Sequence, residues 1–356
     1  MPVNTALADA SNGLLLSTLI LYALAMLCYA GDLAFARHRV LADLESATAG
    51  DAKVTEAKVP ELVGAGAPAA GAGGRAGGRS VGPAQPDVPP DADGSGRTSR
   101  WPSGAWMRTG FGLTCVGLVL QVAAILTRGL AEHRVPWGNM YEFIGAFTCM
   151  AVIVLVAAAV WYRAYYMGLF VLLPVVLALG IDLTLIYTPA GSLVPALQSY
   201  WIAIHVTAMI IAIGLFVFGA VVTTLYLLAD RSQRRLAAGR SSWSAGIWER
   251  LPKPVILDRL SYRSVLFGFP VWTFGVMAGA IWADHAWGRY WGWDPKETWS
   301  FITWVIYAMF LHARATAGWR GRRAGWIHLI AFGCLMFNVI GVNLWITGLH
   351  SYAGMS

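Results

Sequence analysis

The feature that most constrains this chain is a series of eight apolar stretches along its sequence. A bilayer-spanning helix needs roughly 20 mostly apolar residues, and each stretch is close to that length. The stretches lie at residues 13–36, 109–130, 142–162, 166–186, 201–229, 264–284, 299–316 and 325–347. The pattern predicts an all-α integral membrane protein with about eight transmembrane helices.

Composition excludes the main alternatives to a membrane protein. Only 13% of the residues are charged, whereas a soluble domain carries about 25%, and the mean hydropathy is +0.57. A water-soluble enzyme and a wholly disordered chain are therefore both excluded. The 4 cysteines lie in apolar stretches without a CxxC motif, so we interpret them as small apolar packing residues rather than redox groups.

The positive charges predict how the chain is oriented in the membrane. Of the 26 lysines and arginines, 22 fall in one alternate set of loops and 4 in the other. Cytoplasmic loops carry the excess of such residues, so the first set is predicted to be cytoplasmic and both termini to lie outside. The basic charge thus reflects topology rather than nucleic-acid binding. The external segments are then 131–141, 187–200, 284–298 and 348–356.

The chain divides into three parts by composition. Residues 1–40 contain the first transmembrane helix, and residues 105–356 form the main membrane domain. Residues 41–104 are rich in glycine, alanine and proline and lack apolar periodicity. Such a segment cannot bury enough apolar surface to offset its ordering entropy. We therefore predict a long disordered cytoplasmic linker over 41–104.

The external segment 282–299 holds an unusual density of aromatic residues, with five tryptophans and a tyrosine. Tryptophan is common at membrane interfaces, so one interpretation is an interfacial belt. Flat aromatic faces interrupted by glycines also suit a large planar ligand, and this second interpretation is favoured. The candidate platform residues are Trp282, Trp287, Tyr290, Trp291, Trp293, Asp294 and Trp299. Asp294, Pro295 and Glu297 also predict the start of a helix through an N-cap and capping box.

Two basic residues accompany this aromatic segment. Arg289 and Lys296 are two of the four lysines and arginines predicted to be external. They are candidates for pairing with carboxylates of a ligand, such as propionates, or for lying among lipid headgroups. The residues alone leave both alternatives open.

Histidines within or beside the spans are candidate ligands, because ionisable residues are costly in a membrane and mark functional sites. His205 lies roughly 6 Å below the outer end of its helix at 1.5 Å per residue, and His350 lies just beyond the last span. Together they match the requirement of a bis-histidine haem site, although each alone is equally compatible with a structural role. His312 lies deeper, toward the inner leaflet, with His328 as the nearest candidate partner in the same chain.

Several motifs resemble one known family. The stretch WGRYWGWDPKETWSFITW at 287–304 is similar to the WWD signature of haem-handling proteins, in the variant of CcsA/ResC-type cytochrome c biogenesis proteins. Further similar stretches are PWGNMYEF (136–143), LVPALQSYWIAIHV (193–206), FLHAR (310–314) and GVNLWITGLHSYAG (341–354). The resemblance covers residues 105–354 and leaves the first span and the linker outside.

The resemblance implies a role in the second bacterial route of cytochrome c maturation, as a subunit of a holocytochrome c synthase (haem lyase) complex. The protein would bind haem b, move it outward across the plasma membrane and present it for thioether attachment to the CxxCH motif of apocytochrome c. By position, His205 and His350 match the external axial ligands of haem iron, and His312 matches a transmembrane ligand. The implied partners are a CcsB/ResB-type membrane subunit, apocytochrome c and a thiol-reducing thioredoxin-like protein. The implied active site faces the extracytoplasmic side.

Three alternatives stay open from the sequence. The first is delivery of haem to a separate chaperone, against which WGWDPKE and the C-terminal LHSY argue. The second is a haem exporter without ligation activity, which predicts helices broken at glycine or proline in mid-membrane, with Pro174 and Pro270 as weak candidates. The third is a structural scaffold whose tryptophans only anchor it in the interface.

Overall fold

The computed structural model describes residues 3–55, 104–193, 195–240 and 254–350, with the backbone alone for 36–55. Within these ranges the regular elements are helices. The long helices are α1 Thr5–Thr55, α2 Ala105–Glu132, α3 Met140–Tyr162, α4 Gly168–Leu185, α5 Tyr200–Ala237, α6 Pro254–Trp287, α7 Pro295–Ala315 and α8 Arg322–Met336. A π-helical turn, Phe337–Gly341, joins α8 to the short α9, Val342–Trp345.

The predicted class, an all-α integral membrane protein, is confirmed. Seven segments of the described residues are long and apolar enough to cross a membrane, and each coincides with a predicted span. The remaining predicted span, 299–316, coincides with the 21-residue helix α7 except for its last residue. This helix has polar ends, with Lys296 and Glu297 at its start and His312 and Arg314 in its last turn, and these residues lower its hydropathy.

The first helix packs on α2 through polar contacts inside the bundle. Ser11 Oγ donates to the Ala124 carbonyl at 2.8 Å, and Tyr22 OH donates to Gln121 at 2.8 Å. The described residues within 1–34 and 101–356 accordingly form one compact unit. The backbone of α1 continues to Thr55, so residues 41–55 of the predicted linker are helical, and residues 56–103 lie outside the described residues.

The centre of the bundle is formed by α5, α6 and α7. Phe216 on α5 stacks on Tyr307 of α7, with ring centroids 4.0 Å apart. A Cβ atom on Gly268 of α6 would lie 2.8 Å from the Phe216 ring, so the absence of a side chain there allows α5 and α6 to approach closely. Small residues at such helix contacts are typical of membrane bundles, where association depends on close packing.

Helix α7 begins where the sequence predicted. Asp294 is the N-cap, Pro295 is the first residue, and the side chains of Asp294 and Glu297 form the capping box. The preceding Trp293 has a φ of 57°, a left-handed conformation that is uncommon for a residue with a side chain. This tight connection follows α6 directly and places the aromatic segment over one end of the bundle.

Candidate functional site

His205 lies on the first two turns of α5 and is held from the opposite helix. Its Nδ1 atom is 2.7 Å from the carbonyl oxygen of Gly275 on α6. Because a carbonyl oxygen only accepts hydrogen bonds, Nδ1 carries the proton and the Nε2 atom carries the lone pair. The imidazole also stacks on Trp282, with centroids 6.2 Å apart and an angle of 10° between the planes. The ring therefore has a defined tautomer and a defined orientation.

His350 reaches the same place from the other end of the chain. Its Nδ1 atom is 2.8 Å from Oδ2 of Asp294. The imidazole packs edge to face on Trp282 and Trp287, with centroids 5.6 and 5.0 Å apart. Trp282 therefore contacts both imidazoles.

Asp294 links the aromatic segment to the C-terminal segment. Besides capping α7, its carboxylate accepts hydrogen bonds from Nδ1 of His350 and from the backbone amide of Leu349, each at 2.8 Å. An ionised carboxylate only accepts hydrogen bonds, so the Asp294 contact assigns the proton of His350 to Nδ1. The lone pair of His350 is then on Nε2, as it is in His205.

The pKa values of this pair follow from burial and hydrogen bonding. Burial raises the pKa of Asp294, but the hydrogen bonds from His350 and the Leu349 amide lower it by more, so that the net pKa lies below its ordinary value. For His350, burial lowers the pKa and outweighs the opposing hydrogen bond to Asp294. Both shifts favour an ionised Asp294 carboxylate beside a neutral His350 imidazole. The neutral imidazole is the form of histidine that coordinates metals.

Both histidines line one cavity at this end of the bundle. It encloses about 1110 Å³ of empty space, part of it continuous with solvent. The predicted platform residues that line it are Trp282, Trp287, Tyr290 and Trp291, together with Lys296. The cavity is thus largely apolar, with aromatic rings in its wall, and its polar groups include two imidazoles, the Lys296 ammonium group and the Glu297 carboxylate.

Other residues of the predicted platform lie elsewhere. Trp293 is 64% exposed and packs on Trp291 and Phe301 rather than lining the cavity. Trp299 packs on Phe337 of the π-helical turn, with centroids 4.3 Å apart. These two rings therefore pack within the tryptophan segment and against neighbouring helices, outside the wall of the cavity.

The second predicted propionate partner is also engaged within the segment. Nη1 of Arg289 lies 3.4 Å from Oε1 of Glu297, and Arg289 is not among the residues that line the cavity. The Glu297 carboxylate also accepts the backbone amides of Gly292 and Asp294, at 2.8 and 3.1 Å. Arg289 therefore belongs to the hydrogen bonds that shape the loop.

Sequence reasoning missed several residues of the cavity wall. Gly279 on α6 faces His205, because a Cβ atom there would lie 2.7 Å from the imidazole. Asn338 and Asn343 also line the cavity, and polar amides within an apolar span were the signal that could have identified them. Trp137 and Asn139 complete this wall from the start of α3. The α3 segment was noted for its resemblance, but its place against the histidines was not foreseen.

A buried charge cluster fixes the α2–α3 connection against the cavity. The Glu142 carboxylate accepts the Gly138 amide at 2.7 Å and Nη1 of Arg134 at 2.9 Å, and Nε of Arg128 lies 3.3 Å away. Asn139 caps α3 by accepting the Glu142 amide. The side chain of Glu142 is 1% exposed, so these hydrogen bonds replace the water that a buried carboxylate would otherwise need.

The inner histidines are in different surroundings. His312 is exposed on α7. His328 on α8 is fully buried, and its Nδ1 lies 2.8 Å from Thr223 Oγ1 and 3.1 Å from Ser261 Oγ. In the described part of the chain no hydrogen bond or ring contact joins His312 to His328. His312 and His328 therefore make no direct contact with each other among the described residues.

The chemistry available at the outer cavity follows from its donors. No group of three or more metal-ligating side chains occurs among the described residues. Two neutral imidazoles with lone pairs on Nε2 are instead suited to a metal whose other positions are filled by its own macrocycle. The aromatic walls provide faces for a planar apolar body.

Comparison with known proteins is consistent with this geometry. A family model described as cytochrome C assembly protein matches residues 137–350. The cytochrome c biogenesis protein CcsA of Gloeobacter violaceus is 34% identical over 295 residues, which covers 69% of this chain and 87% of that protein. The chain is a CcsA-type member of the cytochrome c assembly family. The protein of the same name from Guillardia theta is 33% identical over 264 residues, covering 69% of this chain and 86% of that protein.

The matched region of this CcsA-type protein encloses the whole candidate site. It begins at Trp137 and ends at His350, both of which line the cavity. The CcsA protein of Chlamydomonas reinhardtii is more similar over a shorter stretch, 41% identical over 163 residues, covering 46% of this chain and 43% of that protein. A role in cytochrome c biogenesis and a multi-pass membrane location follow for this chain.

Proposed function

We propose that this CcsA-type protein binds haem at its outer cavity, with His205 and His350 as the axial ligands, and presents it for covalent attachment to apocytochrome c. The observation that carries the proposal is that two imidazoles separated by 145 positions in the sequence line one aromatic cavity, each with Nδ1 held by an acceptor. Holding the second ring nitrogen is the usual way in which proteins orient a metal-ligating histidine.

The residues present fit haem as a substrate. The lone pairs on Nε2 of His205 and His350 suit the two axial positions of the iron, and Trp282, Trp287 and Trp291 provide aromatic surface for the porphyrin. Gly279 leaves space beside the His205 ring. Lys296 lines the cavity and is the proposed partner of a propionate, whereas Arg289 is held by Glu297.

The attachment reaction needs orientation more than acid–base groups. Each cysteine of a CxxCH motif adds its sulfur to one vinyl carbon and its proton to the other, so one S–C and one C–H bond form without net oxidation. The two thiols come from apocytochrome c, and this chain therefore needs no CxxC motif of its own. Holding haem in one orientation converts the addition into an effectively intramolecular step, which contributes several kcal/mol. His205 and His350 supply that fixed orientation.

Haem reaches this site from the cytoplasm in the proposed scheme. His312 is exposed on α7 and is available to a neighbouring membrane protein, so its proposed mate belongs to a CcsB/ResB-type partner subunit. The complex would lie in the bacterial plasma membrane with the tryptophan segment outside. The alternative of an exporter with broken helices receives no support, because α4 and α6 continue through Pro174 and Pro270.

Absorption spectroscopy tests the proposal. The chain is purified with and without its partner subunit, and spectra are recorded before and after reduction with dithionite. We expect a Soret band with sharp low-spin α and β bands. His205→Gly and His350→Gly should each lose the low-spin signature and cytochrome c maturation, and added imidazole should restore both.

His285→Gly is the matched control. His285 lies in the last turn of α6, close in sequence to the cavity residues Trp282 and Trp287, but it is exposed and does not line the cavity. It should behave like the wild type. Normal haem spectra and normal maturation in both His205→Gly and His350→Gly would show the ligand assignment to be wrong. Absence of haem under every condition would leave only the scaffold interpretation.

A further inference from the structure

A second recess lies at the opposite end of α5 from the histidine cavity. It is formed by the C-terminal turns of α5 and the N-terminal half of α8 and is lined by Arg231, Arg234, Arg235, Arg240 and Arg322. An adjoining recess shares Arg234, Arg322 and Trp326 with it and adds Arg320 and Arg323. We refer to the two together as the arginine groove. They enclose about 1030 and 1130 Å³, part of it open to solvent.

The groove has a large excess of positive charge. In the described part of the chain its arginines share one acidic partner, Asp230, which lies 2.8 Å from Arg234 and 3.8 Å from Arg322. The groove also includes the start of α8, whose first turn has no acidic residue and no side-chain cap. The amides of a helix N-terminus add to the attraction for an anion. An anionic ligand is therefore favoured.

The walls of the groove are apolar where they run into the bundle. Leu227, Leu228 and Leu329 line it below the arginines, together with Trp326. Trp326 is 55% exposed and Leu228 is 42% exposed, and both residues lie on helices that can span the membrane. One ligand therefore meets charge at one end and hydrocarbon at the other, as a membrane lipid would.

The position along α5 places the groove at the inner membrane surface. Arg231 follows His205 by 26 residues, which corresponds to roughly 39 Å along a helix and exceeds the hydrocarbon thickness of about 30 Å. With the histidine cavity outside, the groove faces the cytoplasm, where anionic lipids attract basic segments. The excess of positive charge that orients a membrane protein needs only basic residues on the cytoplasmic side. It does not require arginines of α5 and α8 to line a shared recess.

We propose that the arginine groove binds the phosphate headgroup of an anionic phospholipid, with an acyl chain along Leu227, Leu228 and Trp326. Phosphate is the group that the planar guanidinium recognises best. The lipid bridges α5 and α8, the two helices that also carry His205 and lead to His350. The site is independent of the proposed haem ligation.

Native mass spectrometry of the full chain tests this site, with phosphatidylglycerol as probe and phosphatidylcholine as the neutral comparison. The wild type should retain phosphatidylglycerol preferentially. Arg235→Gln/Arg323→Gln should bind it about thirtyfold more weakly, since each arginine near an anionic lipid contributes about 1 kcal/mol. Arg235→Lys/Arg323→Lys should recover most of the binding. The matched control is Arg259→Gln/Arg263→Gln, a pair exposed on α6 outside the groove.

Several outcomes would overturn the proposal. One is equal loss of phosphatidylglycerol in the groove and control variants, and another is equally tight binding of phosphatidylcholine. A third would be found by thermal unfolding. If inorganic phosphate stabilises the chain as much as phosphatidylglycerol does, the groove is a general anion site rather than a lipid site. A groove variant that loses phosphatidylglycerol but retains the haem spectrum supports the proposal and separates it from the function of the outer cavity.

Discussion

The molecule orients histidines in two regions, and the partners of Nδ1 differ between them. At the outer cavity Nδ1 of His205 meets the Gly275 carbonyl and Nδ1 of His350 meets the Asp294 carboxylate. Both partners can only accept a hydrogen bond. They therefore fix the proton on Nδ1 and the lone pair on Nε2.

The buried His328 shows the opposite arrangement. Its Nδ1 lies near the hydroxyls of Thr223 and Ser261, and a hydroxyl can donate or accept, so neither tautomer is imposed. Its Nε2 is enclosed and has no hydrogen-bond partner among the described residues, next to the rings of Tyr307 and Phe310.

We interpret this difference as the one between the proposed haem ligands and a packing residue. A histidine that is to bind a metal needs a fixed tautomer and space in front of Nε2, whereas a core histidine needs a satisfied polar atom and filled volume. His205 and His350 have a fixed tautomer and line the cavity. His328 fills volume in the core, with Nδ1 against two hydroxyl groups but Nε2 without a hydrogen-bond partner among the described residues. Hydropathy alone cannot distinguish these cases, because all three residues lie in or beside apolar stretches.

Among the substitutions that test this comparison, Asp294→Asn is expected to have the largest effect on haem affinity. The amide removes the acceptor-only partner of His350 and weakens the contact with the Leu349 amide. Loss of such a support typically costs 10–100-fold in metal affinity, and we expect a loss of that size in haem binding by titration. Asp284→Asn is the control, because Asp284 lies near the C-terminal end of α6, in the same tryptophan-rich segment as Asp294, and does not line the cavity. Unchanged haem affinity in Asp294→Asn would break the comparison.

His328→Ala should show the reverse pattern. Removal of a fully buried ring leaves a cavity and exposes Thr223 and Ser261 to an apolar void, which should lower the free energy of unfolding by about 2–4 kcal/mol. Denaturant titration in detergent measures this loss. The haem spectrum of the variant should match the wild type, and a shifted Soret band would show instead that His328 acts on the haem site.

A pair of glycine substitutions compares the two regions directly. A Cβ atom on Gly279 would lie 2.7 Å from the His205 ring. A Cβ atom on Gly219 would contact Ser264 Oγ most closely and would lie 2.9 Å from the His328 ring. Gly279→Ala should weaken haem binding about tenfold, the effect of 1.4 kcal/mol, with little change in stability. Gly219→Ala should lower stability by about 1–3 kcal/mol through overpacking and leave the spectrum unchanged. Identical phenotypes for the two variants would contradict the distinction.

The smallest effect belongs to Gly333→Ala on α8. No atom lies within 4 Å of a Cβ placed there, so the side chain has space. Alanine is favoured over glycine by about 1 kcal/mol in a helix interior, and a small rise in melting temperature is expected. A fall in melting temperature would indicate that substitution of helix glycines is destabilising even where the side chain has space. The effects of Gly279→Ala and Gly219→Ala could then not be assigned to contact with the histidine rings.

The sequence was sufficient to predict the helices and one helix start. Apolar stretches near 20 residues long predicted the spans because hydropathy and length are local properties. Asp294, Pro295 and Glu297 predicted the N-terminus of α7, which is confirmed by the capping box. The bounds were less accurate, since α5 extends to Ala237 and α6 starts at Pro254, where polar helical turns continue beyond the apolar pattern.

The functions of single side chains within the tryptophan segment could not be predicted in the same way. Trp282, Trp287 and Trp291 line the cavity, whereas Trp293 and Trp299 pack behind it. The sequence presents all five as equivalent aromatic residues. Their separation depends on the left-handed turn at Trp293 and on the packing of α7 against the π-helical turn of the C-terminal span.

The sequence by itself determined that this is an all-helical membrane protein of the cytochrome c assembly family, because span length and the tryptophan motif are each contained in short segments. Only the tertiary structure decided which atoms hold the histidines. Gly275 lies 70 positions from His205, and Asp294 lies 56 positions from His350. Hydrogen bonds over such separations exist only after the helices have packed, and they determine which nitrogen of each imidazole carries the lone pair.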